Sequence, residues 1–185
     1  MTRPAPPARR RLRRLGAVAA AAAVAAGLLG ARRRLAETAD EPRALAALAT
    51  WRPAAPARRL SRVFAYLWAA PVTLAGLVAA AAGGGGRIAL RDGMLVVSGV
   101  GGLTGRALRL RGFTAITLGH VVLAREEPSP ALLAHEAVHV RQAERLGPLI
   151  APVYLGLMAV YGYRRHPMER AARLAQAEVG GHAHA

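Results

Sequence analysis

The chain contains no cysteine, and aromatic residues supply only 4% of its 185 positions. Without cysteine there is no disulfide framework, no thiol nucleophile, no Cys-ligated zinc and no iron–sulfur cluster. Lysine is absent too, so all 26 basic residues are arginine, a usage that reads as codon bias and carries no function. Acids are scarce, 10 in all, and the formal net charge is +16. The hydrophobic content of 54% comes largely from alanine, which explains how it coexists with so few rings. A chain this apolar is no disordered polycation, and its length supports one domain plus appendages.

The charge is unevenly spread. Residues 1–62 hold 14 arginines against three acids, whereas residues 63–185 hold 12 against seven. Nucleic-acid binding surfaces interleave arginine with aromatics or glycine, and this Ala/Pro/Arg-rich third does not. An arginine-rich flank beside a membrane segment explains the pattern more simply, so the expected partner is membrane lipid rather than nucleic acid.

Uncharged stretches set the layout. Leu15–Ala31 is nearly all Ala, Val, Gly and Leu between arginine clusters. It fits a signal-peptide core, a marginal spanning helix or an unstructured extension about equally. Residues 63–86 are stronger: a charge-free run with Phe64, Tyr66, Leu67, Trp68, Leu74, Leu77 and Val78, long enough to cross a ~30 Å hydrocarbon core. A transmembrane helix is expected there, with a buried core helix as the alternative. Residues 1–62 then form a basic extension, and arginine counts place the N-terminus inside.

After Gly83–Gly86 the period changes. Ile88–Leu90, Asp92-Gly93 and Met94–Val97 spell a β-hairpin, Asp-Gly being the turn signal. Ala107–Leu110 and Thr114–Leu123 supply further β-prone residues. A small antiparallel sheet is the expectation.

Chemistry concentrates downstream. Ser129 suits an N-cap, Pro130 the first helical position and Gly147-Pro148 a helix end. Between them lies His135-Glu136-Ala-Val-His139, the HExxH pattern. Residues i and i+4 share a helix face, so both imidazoles can reach one metal ion, and Glu136 can meet a water beside it as general base. Neutral imidazole suits Zn²⁺ with three protein ligands and an open fourth position. Leu146–Tyr163 reads as a second helix, and Pro167 opens a third. Glu169, 30 residues after His139 at an Ala-rich helix start, is the expected third ligand, although an acid in a first turn also satisfies the helix dipole. His120 is a rival ligand, an oxyanion donor or a hydrogen-bonded strand histidine. Gln142 lies one turn beyond His139, and Tyr161 and Tyr163 are either oxyanion donors or helix-end residues.

These residues carry a resemblance. HExxH followed by a helical glutamate resembles the gluzincin branch of zinc metallopeptidases. The stretch from Phe64 to Ala172 also looks like small uncharacterised bacterial membrane-associated proteins with a Leu-Trp-Ala-x-Pro segment (Leu67–Pro71), a Thr-Leu-Gly-His-Val-Val-Leu strand (Thr117–Leu123), a His-Glu-x-x-His-Val-Arg-Gln helix and an Asn-Pro-x-Glu-like turn. The resemblance implies His135, His139 and Glu169 as zinc ligands and Glu136 as base. The chain departs from that pattern at His166, where asparagine is expected, and at Arg173, where gluzincins place an aspartate that braces a ligand.

The sequence therefore predicts an α+β chain: a membrane helix over 63–86, then a zincin-like domain over 87–178 with a small antiparallel sheet and three helices, and a flexible tail over 179–185. The expected function is a membrane-anchored zinc hydrolase, a metallopeptidase acting on peptide or protein, single-pass in a bacterial inner membrane. The alternative is a non-catalytic membrane protein whose HExxH metal site serves structure or partner binding.

Overall fold

The computed structural model describes residues 42–182 together with Gly27 and Gly30. The rest of the Leu15–Ala31 run and residues 183–185 lie outside the described residues. The order of elements is α1 (Arg43–Ala49), α2 (Arg59–Ala82), β1 (Arg87–Arg91), β2 (Met94–Ser98), α3 (Gly102–Arg111), β3 (Ala115–Leu118), β4 (Val121–Ala124), α4 (Pro130–Leu146), a 3₁₀ turn (Gly147–Leu149), α5 (Ile150–Arg165) and α6 (Pro167–His182). The chain is α+β.

The strands form one sheet in the order β1-β2-β4-β3. Its two hairpins are antiparallel, and Asp92 and Gly93 both take positive φ (50° and 79°) in the first, as a tight two-residue turn demands. β2 and β4, however, run parallel, so the sheet is mixed rather than antiparallel. The cause is residues 102–111. Ala107–Leu110, expected as strand, belongs to α3, and a helical crossover is what lets two parallel strands pair. Gly112 closes α3 in the left-handed conformation (φ 69°), with Arg109 and Arg111 in its last turn.

Strand parity divides the core. On one face Met94, Val96 and Val122 pack with Val140 of α4; on the other Val97, Val121 and Leu123 pack against Ala79 and Ala80 of α2. The sheet is thus covered by α4 on one side and by the C-terminal half of α2 on the other. α6 docks on α4 through Ala171, Ala172 and Val138. The segment before α2 is no linker: Leu45 and Ala49 are buried, Arg52 pairs with Glu178 at 2.7 Å, and the carbonyls of Trp51 and Ala54 accept hydrogen bonds from Gln142 and Arg145. α6 continues to His182, past the expected domain end at 178.

Among the described residues, two helical stretches are long and apolar enough to cross a membrane, Arg59–Ala82 and Pro130–Arg165. The second is not a straight rod. The 3₁₀ turn interrupts it, and Gly147 (φ 53°, ψ −131°) and Gly162 (φ 67°, ψ 171°) leave helical geometry.

Candidate metal centre

Two capped helices bring the site together. In α4 the Ser129 side chain accepts the Leu132 N–H at 3.2 Å, Pro130 occupies the first turn, and His135 and His139 follow on one face. In α6 the same task falls to His166. Its Nδ1 accepts the Glu169 N–H at 3.4 Å while its Nε2–H donates to the Tyr154 carbonyl at 3.0 Å. An N-cap asparagine side chain would accept the same N–H, so His166 does the work of an ordinary N-cap residue. Burial pushes the His166 pKa down, against the opposing pull of the Tyr154 carbonyl, and the neutral ring is the form that can cap.

Glu169 thereby arrives opposite the histidine pair. The two Nε2 atoms lie 3.2 Å apart; Glu169 Oε1 is 3.2 Å from His139 Nε2, and Oε2 is 3.5 Å from His135 Nε2. Ligands at ~2.0–2.1 Å in a tetrahedron lie about 3.3 Å apart; the two imidazole nitrogens match that edge and the carboxylate reaches each of them through a different oxygen, so the group could hold a metal ion. Glu169 Oε2 is buried with no hydrogen-bond partner. Such an orphaned carboxylate oxygen is costly unless a cation completes it. The expected ligand set, His135, His139 and Glu169, is the set the fold brings together.

The surroundings sharpen the donor set. His139 Nδ1–H donates to Gln142 Oε1 at 3.0 Å, which leaves the Nε2 lone pair for the centre. Gln142 in turn donates to the Trp51 carbonyl at 3.2 Å. His135 Nδ1 has no partner. Burial alone would raise the Glu169 carboxyl, but hydrogen bonds from His135, His139 and Tyr154 outweigh it and hold the group far below the usual carboxylate range. Burial likewise pulls His139 down, and the bond and charge of Glu169 more than reverse that, leaving it raised. Tyr163 is pushed up to about 12, by burial first and the Glu169 charge second. Tyr154, raised further by the same two causes, donates its hydroxyl to Glu169 Oε1 at 2.7 Å. Burial and the charge of this one carboxylate together account for the tyrosine shifts.

Glu136 is buried beside the group but is not a member of it. Its Oε2 accepts the Thr117 hydroxyl at 2.6 Å, and Thr117 belongs to β3, an edge strand.

His120 does not join the centre. Gly119 (φ 61°) turns the chain between β3 and β4, and His120 faces α2 and the far end of α4. Its Nε2 meets Glu144 at 3.2 Å, its Nδ1 meets Thr73 at 3.1 Å, and Tyr66 stacks on its ring at 4.1 Å. Glu144 lies two turns beyond Glu136, about 12 Å along the axis, so His120 is a structural histidine and not a ligand. Arg173 donates to the Arg164 carbonyl at 2.8 Å, with its other nitrogen 3.9 Å from Glu169 Oε2. Sequence reasoning missed Tyr154; the signal was a hydroxyl in the middle of an apolar run rather than at its end, which needs a partner once buried.

No family model, curated protein or solved structure matches this chain.

Proposed function

We propose that the chain is a membrane-associated, zinc-dependent hydrolase, a metallopeptidase. The observation that carries this reading is the convergence of two Nε2 atoms 3.2 Å apart on the Glu169 carboxylate, whose Oε1 lies 3.2 Å from His139 Nε2 and whose buried Oε2, without a hydrogen bond, lies 3.5 Å from His135 Nε2. Zn²⁺, when bound by His135, His139 and Glu169, supplies Lewis acidity and a water of lowered pKa. Glu136 takes a proton from water on the oxygen that Thr117 leaves free and returns it to the departing amine. The raised pKa of Tyr154 keeps its hydroxyl protonated, and that proton, donated to Glu169 Oε1, holds the carboxylate in place at the centre. Because β3 is an edge strand and Thr117 touches Glu136, an extended peptide adding to that edge lies alongside the base.

The test is Glu136→Gln. Zinc content stays near one equivalent while hydrolysis of a fluorogenic peptide library is lost; cleavage that survives removes Glu136 from the reaction. The competing reading is a metal site without turnover, favoured by the bare Nδ1 of His135, since catalytic zinc sites usually brace every ligand histidine. Zinc bound by the wild-type chain, with no cleavage of any library member, decides for that alternative.

A further inference from the structure

Helix α2 has two opposed faces. Ala65, Ala69 and Gly76 are buried on one. On the other, Leu60, Phe64, Leu67, Leu74, Leu77 and Val78 are 43–84% exposed. At 100° per residue those six fall within an arc of about 140°, centred opposite the buried residues. The inner face is fastened to the domain nearly end to end. Tyr66 stacks on His120; Trp68 Nε1–H donates to the Arg145 carbonyl at 3.3 Å; Thr73 Oγ1 accepts the His120 N–H at 3.1 Å. Further along, Thr104 donates to the Ala79 carbonyl at 2.6 Å, and the Gly101 N–H donates to the Gly83 carbonyl at 3.0 Å.

From Tyr66 to Gly83 these attachments cover about 25 Å of helix axis, close to the ~30 Å depth of hydrocarbon that a span must cross. A crossing α2 would therefore drag its docked neighbours into the lipid. They include α3 with exposed Arg106 and Arg109, the Arg141–Glu144 pair, and a sheet whose β1 edge is unpaired. Charged side chains and open sheet edges are the features hydrocarbon tolerates least. The arginines agree: Arg58, Arg59 and Arg62 at one end and Arg87 at the other are all exposed, so both ends of the helix seek headgroups.

We propose that α2 lies in the plane of an anionic phospholipid bilayer, with its apolar arc sunk to the headgroup–acyl boundary and the metal-site domain held above it. This replaces the single-pass arrangement and does not rest on the hydrolase reading. An in-plane helix needs an exposed apolar face and charged anchors at headgroup level; α2 has that face among the described residues, and its arginines stand at both ends.

The absence of native cysteine makes the test direct. The full chain, carrying Leu60→Cys, Leu67→Cys or Val78→Cys one at a time, is bound to phosphatidylcholine vesicles containing phosphatidylglycerol and spin-labelled. Accessibility to oxygen and to a water-soluble nickel chelate then gives three depths. An in-plane helix gives three equal, shallow depths; a crossing helix puts Leu67 deep and the other two shallow. In parallel, Ser61→Cys and Arg87→Cys are exposed to a membrane-impermeant maleimide before and after detergent. Both ends react from the same side if α2 lies flat. Unequal depths, opposite sidedness or labels that all sit in water each overturn the proposal, and none of these readouts depends on zinc or on hydrolysis.

Discussion

Replacing Gln142 by leucine deletes two linked hydrogen bonds without touching a metal ligand. In the wild-type chain Gln142 Oε1 accepts the His139 Nδ1–H at 3.0 Å, and its amide donates to the Trp51 carbonyl at 3.2 Å. The first bond fixes the tautomer that presents Nε2; the second ties the strap before α2 to the site helix. Gln142 is fully buried, so leucine fits by volume and leaves a donor and an acceptor unsatisfied. Loss of a partner that orients a ligand histidine costs ~10–100-fold in metal affinity, about 1.4–2.7 kcal/mol. The apo protein also loses roughly 1–3 kcal/mol for the stranded polar groups. Zinc competition against a chromophoric chelator reads the first effect, and urea unfolding of the metal-free protein reads the second. Gln142→Glu keeps the acceptor, so it should recover zinc affinity while the bond to Trp51 stays lost. If Gln142→Leu holds zinc as tightly as wild type, the histidine is oriented by something else and the argument from tautomer fails.

Glu169→Gln keeps the shape of the third ligand and removes its charge; zinc affinity should fall at least ~100-fold, measured by the same competition. His166 has a lower pKa folded than its usual value, so the unfolded chain takes up the proton first. Its contribution to apo stability is complete above pH ~6.5 and falls away as pH drops below that, and His166→Asn should flatten this part of the urea-stability profile. Gly147→Ala should cost about 2–3 kcal/mol in urea unfolding, because φ is 53° and a Cβ would lie 2.5 Å from the Trp68 indole. Chelation of the metal from the loaded protein should lower its melting temperature by an amount that grows with the logarithm of zinc affinity, as binding to the folded state alone requires.

The candidate metal ligands were legible in the chain because helical geometry is local. A spacing of four between His135 and His139, with a cap at Ser129 and Pro130, fixes two imidazoles on one face whatever surrounds them. Glu169 was legible for a related reason: scarce carboxylates and a proline-opened helix mark a place where an acid has a task. What a neighbour must supply was not legible. Ala107–Leu110 has residues that suit a strand, yet α3 forms because β4 must run parallel to β2, a pairing decided between segments far apart. His120 has the chemistry of a ligand, and only the turn at Gly119 sends it to Thr73 and Glu144. Tyr154 and Gln142 gained their roles from contacts across helices, which no periodicity encodes. The apolarity of α2 was plain from composition alone, but composition treats the helix as a free cylinder. Only the packed fold reveals that one side of it is already bonded to protein over most of its length, and that side is what constrains how it can meet a membrane.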